Sequence, residues 1–234
     1  MSGIARVLLA RGIEVSGSDA QDSRRLQALK PLGGKVFVGH DADNLLISGT
    51  QPSCVVISTA IGQDNPEVVK ATELGIPVVS RAIALAELLE NTTAISVAGT
   101  HGKTTTSSLV AHLCKVANLP FSGFLGGIAE NYKSNFIFNG TEMSVLEADE
   151  YDRSFLNLSP DWAIITSIDA DHLDIYGDTE TIEQGFRDFA DLVPENDQLF
   201  VRKGVNIGRP CKTYAVNEEA DYYSDNLRII DGWM

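Results

Sequence analysis

An apolar strand pattern, Ala94–Ala98, runs directly into Gly99-Thr100-His101-Gly102-Lys103-Thr104-Thr105-Thr106, and a helical pattern continues from Thr104 to about Val116. This local order constrains the fold more than anything else in the chain. A glycine turn between a buried strand and a helix aims several backbone N–H groups and the positive helix end at one point, which is where an anion binds. Lys103 adds a mobile cation suited to β- and γ-phosphates, and the Thr104 hydroxyl a ligand for magnesium. The long form of such loops has a further glycine ahead of Gly-Lys. Val97 stands at that position, so the match is to the shorter Gly-Thr-x-Gly-Lys-Thr form. The plain alternative is a glycine turn that merely caps a helix.

A triphosphate site also needs oxygen ligands to complete a magnesium shell. Two apolar runs end in acid. Val145-Leu146 leads into Glu147-Ala148-Asp149-Glu150-Tyr151-Asp152, and Ile164-Ile165-Thr166-Ser167-Ile168 leads into Asp169-Ala170-Asp171-His172-Leu173-Asp174. Ligands of open parallel sheets bind beyond the carboxyl ends of strands, so three distant segments are expected to converge there. From Glu147 to Asp191 there are 13 Asp or Glu residues against Arg153 and Arg187. Such a stretch alone would be a solvated face. Beside the loop it reads as a metal site, with His172 a further candidate ligand.

The first ninety residues alternate helix and strand patterns: a helix over 2–10, a strand over 14–16 ending Gly17-Ser18-Asp19, a helix near 23–32, and a strand over 35–38. Strand 54–58, a helix opened by Asn65-Pro66 and closed by Gly75, strand 77–80 and helix 82–89 follow. Such alternation predicts a parallel sheet covered on both faces. After Asn91 come strands at 94–98, 144–148, 163–167, 198–201 and 213–216, a helix over 181–193, and a further candidate strand at 227–230. The predicted architecture is α/β, with a Rossmann-like parallel-sheet domain over 1–91 and a P-loop-type ATPase α/β domain over 92–234. A nucleotide-binding unit of the first kind starts with a strand and a glycine-rich turn. Neither precedes the helix at Ser2, so the reading is of a chain shortened at its front and, from the strand pattern interrupted at Gly232-Trp233-Met234, at its back.

Composition narrows the function. With 18 basic against 32 acidic residues the net charge is −14, which argues against nucleic acid or an anionic membrane as partner. No apolar run reaches the roughly 20 residues of a membrane span. Cys54, Cys114 and Cys211 are too few and too scattered for a disulfide framework, so a reduced, cytoplasmic setting is expected. His112 reads as structural.

The segments Ala98–Thr106, Glu147–Leu156 and Asp169–Tyr176 resemble those of the Mur ligases, ATP-dependent amide-forming enzymes of peptidoglycan precursor synthesis. Ser16-Gly17-Ser18-Asp19, Gly39-His40-Asp41, Ser58-Thr59-Ala60-Ile61 and Asn65-Pro66-Glu67-Val68 are similar to that family's UDP-sugar domain. The likeness runs over nearly the whole chain, which would cover only about half of a full-length member. The resemblance implies ATP and magnesium as cofactors, with Gly99, Thr100, His101, Gly102, Lys103, Thr104 and Thr105 binding ATP. It implies catalytic roles for Lys103, Glu150 and His172, with Thr104, Glu150 and His172 as metal ligands. Ser18, Asp19, His40, Ser58 and Arg81 would line a uridine-nucleotide site, and Gly126, Gly127 and Asn131 would approach the sugar end.

Many members carry a carbamoylated lysine in the helix after the Asp-His motif. Residues 179–193 contain none, which fits the alanine-adding branch, with UDP-N-acetylmuramate and L-alanine as substrates. The implied chemistry is phosphorylation of a carboxylate to an acyl phosphate, followed by attack of an amine. Two other readings stay open, a recycling relative that attaches a whole peptide and an inert nucleotide-binding fragment. A P-loop kinase or GTPase would be expected to show the full Gly-x-x-x-x-Gly spacing ahead of its lysine, and a GTPase an Asn-Lys-x-Asp; neither is in the sequence. Little or no ligase turnover is expected of this polypeptide alone. Unpaired strand edges in residues 1–90 are expected to promote aggregation.

Overall fold

Helix α1 (Ser2–Ala10) buries Ile4 and Val7, which are spaced to share one face of the helix. Strand β1 (Ser16–Asp19) follows, then α2 (Arg24–Gln27), whose Ser23 cap accepts from Leu26 N at 3.1 Å. After β2 (Lys35–Val38) come β3 (Val55–Ile57), α3 (Pro66–Glu73), β4 (Val78–Ser80) and α4 (Arg81–Leu89). The computed structural model describes residues 1–46, 50–150, 154–169 and 179–227, which divide into two compact units, Met1–Glu90 and Asn91–Met234.

Three expectations for the first unit need correction. In place of one sheet, the described strands form two parallel ribbons, β1–β2 and β3–β4. The strand placed at 14–16 runs instead through Gly17-Ser18-Asp19, which pair with Val36, Phe37 and Val38. Ladder bonding to an apolar neighbour outweighs the turn propensity of those three residues. The helix over 23–32 stops at Gln27 and resumes only as a 3₁₀ turn, Lys30–Leu32, because the ring of Pro31 cannot follow an α-helical turn.

The second unit is one eight-stranded sheet. Its strands are β5 (Thr93–Ala98), β6 (Phe121–Ala129), β7 (Ser134–Phe138), β8 (Met143–Glu147), β9 (Trp162–Ile165), β10 (Leu199–Arg202), β11 (Lys212–Val216) and β12 (Tyr222–Ser224). Their spatial order is β12-β11-β10-β9-β5-β8-β6-β7, parallel except for the β6–β7 pair. The strand before the glycine loop therefore lies between the two strands that end in acid. Val97 pairs with Glu147 on one side, and Ala98 with Ile165 on the other.

Helix α5 (Lys103–Val116) covers one region of the sheet, where Ala111 and Cys114 pack with Phe121, Leu125, Ile137 and Val145. Helix α6 (Thr179–Asp191) covers another, setting Ile182, Phe186 and Phe189 against Phe155, Ile165 and Leu199. Phe155 stacks on Phe189 at 5.1 Å and meets Phe186 edge-on at 5.6 Å. Strands β6, β7 and β12 have no counterpart in the sequence reading. Its candidate strand at 227–230 fares otherwise: Leu227 lies outside any strand, and 228–230 lie outside the described residues.

Candidate functional site

The glycine loop is built by close approach. Gly99 has φ +136°, and a Cβ there would collide with the Thr166 hydroxyl and come within 2.9 Å of Ser167 N. The loop is tied to the end of β9 along its length. Thr100 N–H donates to Ser167 O (3.0 Å), His101 N–H to Ser167 Oγ (3.0 Å), and the Thr166 hydroxyl reaches Ala98 O and His101 O. Asp169 N–H donates to Thr100 Oγ1 at 3.1 Å. Thr166 and Ser167 are thus the residues that hold the loop, a role the sequence reading did not give them. Their position directly after Ile164-Ile165 was the available signal.

Gly102, at φ +83°, begins α5 and offers no side chain to cap it. The first-turn N–H groups of this 14-residue helix therefore have no cap side chain as a competing acceptor, which suits them to an anion. Lys103 Nζ donates to Gly99 O at 2.7 Å and to both Glu150 oxygens at 2.9 Å. Both side chains are nearly enclosed, at 17% and 6% exposure. A carboxylate so far out of water needs its cation, and the lysine is held where a phosphate oxygen could compete for it.

One strand away, Glu147 gathers three donors: Thr104 Oγ1 (3.1 Å), Ser107 Oγ (3.0 Å) and Gly126 N–H (2.6 Å). A Cβ at Gly126 would strike that carboxylate, and one at Gly127 would press on Thr104 Cγ2 at 3.1 Å. The two glycines let β6 lie against the start of α5. Asn131 is exposed in the turn between β6 and β7. His172 lies outside the described residues. Among the described residues no group of three or more His, Cys, Asp or Glu is placed to hold a metal ion.

In the first unit the structure gathers a second polar cluster. Ser18, on β1, donates to Glu67 Oε2 at 2.8 Å and contacts His40 Nδ1 at 2.9 Å, just beyond β2. Glu67, in the first turn of α3, also accepts from Asn44 Nδ2 (2.8 Å) and Asp41 N–H (3.3 Å). Gly39 N–H donates to Asp19 O, keeping the ends of β1 and β2 together. Asp19 uses its carboxylate on Gln21 N–H (3.0 Å). Ser58 follows β3, and Arg81 begins α4 behind the Ser80 cap; among the described residues no hydrogen bond joins either to the cluster. Glu67 and Asn44 are the members that sequence reasoning missed as site residues. His112 bonds Tyr132 Oη at 2.8 Å, in keeping with a structural role.

Comparison with known proteins agrees with this layout. The catalytic-domain description of the Mur ligase family matches residues 1–93, and the Mur ligase middle domain matches residues 97–226. The chain belongs to the Mur ligase family. Within it, the UDP-N-acetylmuramate–L-alanine ligase of Parabacteroides distasonis is 40% identical over 99% of this chain and 52% of its own length. The crystal structure of the UDP-N-acetylmuramate–alanine ligase of Thermotoga maritima superposes with a TM-score of 0.75 at 29% identity, over 93% of this chain and 50% of that one. A peptide-adding relative from Neisseria meningitides, UDP-N-acetylmuramate:L-alanyl-γ-D-glutamyl-meso-diaminopimelate ligase, gives a TM-score of 0.75 at 27% identity, over 92% and 74%. The chain spans about half the length of the curated relatives it matches.

Proposed function

We propose that the chain forms the substrate-binding and nucleotide-binding parts of an ATP-dependent ligase that joins L-alanine to the carboxylate of UDP-N-acetylmuramate in peptidoglycan precursor synthesis, acting in the cytoplasm. The observation that carries the reading is the Lys103–Glu150 pair behind an uncapped helix N-terminus, in a chain whose relatives at 40–43% identity bear that name. ATP fits the loop by its chemistry: first-turn N–H groups and one ammonium for phosphate oxygens, with glycine where a side chain would block the turn. Magnesium fits the donors Thr104 and Glu150, with His172 as a further candidate, because hard oxygens suit it. Bound there, it would offset the negative charge that builds as two anions meet.

The residues of this chain have the following work in that reaction. Lys103 leaves Glu150 for the β- and γ-phosphates and steadies the phosphoryl group in flight to the substrate carboxylate. Glu150, released from the lysine, would be one of the residues that hold the metal. Thr104, whose proton is given to Glu147, presents its lone pairs outward. Transfer converts a resonance-stabilised carboxylate into an acyl phosphate, and the alanine amine then displaces phosphate. Position and charge supply most of the acceleration. Ser18, Asp19, His40, Ser58 and Arg81 belong to the uridine-nucleotide end of the substrate, and Gly126, Gly127 and Asn131 to its sugar end.

Attachment of a whole peptide to the same sugar nucleotide is the second reading, favoured only by the structural likeness to the Neisseria enzyme. Titration of this chain with Mg²⁺ and a non-hydrolysable ATP analogue tests the nucleotide site. Saturable binding lost about a hundredfold in Lys103→Ala is expected. Equal binding by both proteins, or none by the parent, would remove the basis for the assignment. In a polypeptide extended to the length of the curated relatives, phosphate release with UDP-N-acetylmuramate plus L-alanine, against the same sugar nucleotide plus tripeptide, separates the two ligase readings.

A further inference from the structure

The cluster Ser18–His40–Glu67 contains the side chains of a nucleophilic triad in an order that cannot serve as one. A serine nucleophile gives its proton to a histidine that a carboxylate orients. Here the serine hydroxyl has a single proton, and Glu67 takes it, since an ionised carboxylate can only accept. The contact between Ser18 Oγ and His40 Nδ1 at 2.9 Å must then be donated by the ring. Glu67 is largely enclosed, at 15% side-chain exposure; among the described residues no lysine or arginine pairs with it, and the His40 ring lies close by, Nδ1 being 3.9 Å from Oε1. Its charge is carried by the Ser18 hydroxyl, the Asn44 amide, the Asp41 N–H and the first turn of α3. The chain of bonds therefore runs one way, from ring to hydroxyl to carboxylate, and the proton on Nδ1 is set by a residue 27 positions away in sequence.

We propose that Glu67 is a positioning residue that fixes the tautomer of His40, so that in the neutral ring Nε2 is a hydrogen-bond acceptor. His40 would then take a donor from the ligand: a ribose hydroxyl or a base imide N–H, and not a phosphate oxygen. The proposal rests on the reading of the first unit as a uridine-nucleotide site and names which part of the nucleotide meets His40. Replacing Glu67 by Gln inverts the chain. The amide N–H donates to Ser18, whose proton turns to Nδ1, and Nε2 must carry the ring proton.

Nitrogen-15 spectra of the histidine rings in alkaline solution, at a pH where the spectra themselves show the rings neutral, report the tautomer directly. The parent protein is expected to show His40 protonated at Nδ1. Glu67→Gln should move the majority to the Nε2–H form and weaken UDP about tenfold, the cost of one misdirected hydrogen bond. Ser18→Ala removes the link while keeping the Glu67 carboxylate, which loses one of its donors, and should leave a mixture of tautomers; it stands in if Glu67→Gln does not fold. UDP should shift the His40 Nε2 resonance in the parent, and inorganic pyrophosphate should not.

An Nε2–H ring in the parent, an unchanged tautomer in both variants, or an Nε2 shift by pyrophosphate equal to that by UDP would each overturn the proposal. Absence of UDP binding to the parent would instead defeat the nucleotide reading of this unit and the acceptor role with it. The ligand-free tautomer would still judge the relay separately.

Discussion

Glu150 in the second unit and Glu67 in the first are both largely withdrawn from water, at 6% and 15% side-chain exposure, and they are compensated in opposite ways. Glu150, in the second unit, meets a full cation, Lys103, at 2.9 Å from both oxygens. Glu67, in the first, has no cation in hydrogen-bond contact among the described residues: a hydroxyl, an amide and a backbone N–H hold it, with the His40 ring 3.9 Å away. The surroundings differ in the same sense. The second unit buries Phe121, Phe155, Phe186 and Phe189 beneath an eight-stranded sheet, whereas the first has ribbons of two strands and a small cluster of Leu45, Ala71 and Ile76. A well-covered sheet can enclose a charged pair and keep it poised for exchange with a ligand. A lightly covered ribbon encloses only a group whose charge is spread over neutral partners.

This contrast can be broken by experiment. The largest effect is expected at Lys103. Its removal strands Glu150, so Lys103→Ala should lose about 3–5 kcal/mol in denaturant unfolding of the second unit. Adding Glu150→Gln to that variant should recover most of the loss; a double variant as unstable as the single one would show that the pair is not what matters. Truncating the aromatic stack tests the core itself. Phe186→Ala should cost about 3–5 kcal/mol, and native-state hydrogen exchange should show Thr93–Ala98 still slower than Val55–Ile57 by at least about tenfold. Ribbon amides as protected as those of β5 would erase the distinction between the units.

Dipolar support is smaller per partner. Asn44→Ala removes one of the bonds to Glu67 and should cost about 1–2 kcal/mol, read from the melting of the first unit. A loss as large as that at Lys103 would mean that the two carboxylates are held alike.

The smallest effect lies at the sheet edge. The Thr213 hydroxyl and N–H hold the Asp221 carboxyl below its ordinary range. A carboxyl whose folded value is depressed adds stability above its unfolded value, near 3.8, and loses it as pH falls through the folded value. Thr213→Val should lower stability slightly at neutral pH, with the loss fading as pH falls below about 4, so that the acid limb of the stability curve flattens; a loss that persists undiminished in acid would contradict this.

Much of the second unit was legible because its signals are local. The apolar run Ala94–Ala98, the glycine turn and the Lys-Thr pair sit side by side in the chain, and the two acid-tipped strands announce themselves by composition. Lys103 and Glu150, named from the sequence alone, meet at 2.9 Å. The antiparallel β6–β7 pair escaped notice because glycines at 123, 126 and 127 interrupt its alternation. Those at 126 and 127 make sense only against Glu147 and Thr104. Strand β1 was misplaced for a related reason: Gly17-Ser18-Asp19 has turn chemistry and becomes a strand by pairing with β2.

By itself, then, the sequence determined the α/β alternation, the phosphate-type loop and the acidic ends of its neighbouring strands, because each depends on residues adjacent in the chain. Only the tertiary structure decided that Thr166 and Ser167 hold that loop, that Glu147 meets β6, and that Glu67 lies behind Ser18 and His40. These are contacts between elements far apart in sequence. Their specificity comes from the few donors and acceptors that packing brings within about 3 Å, a distance no local pattern encodes.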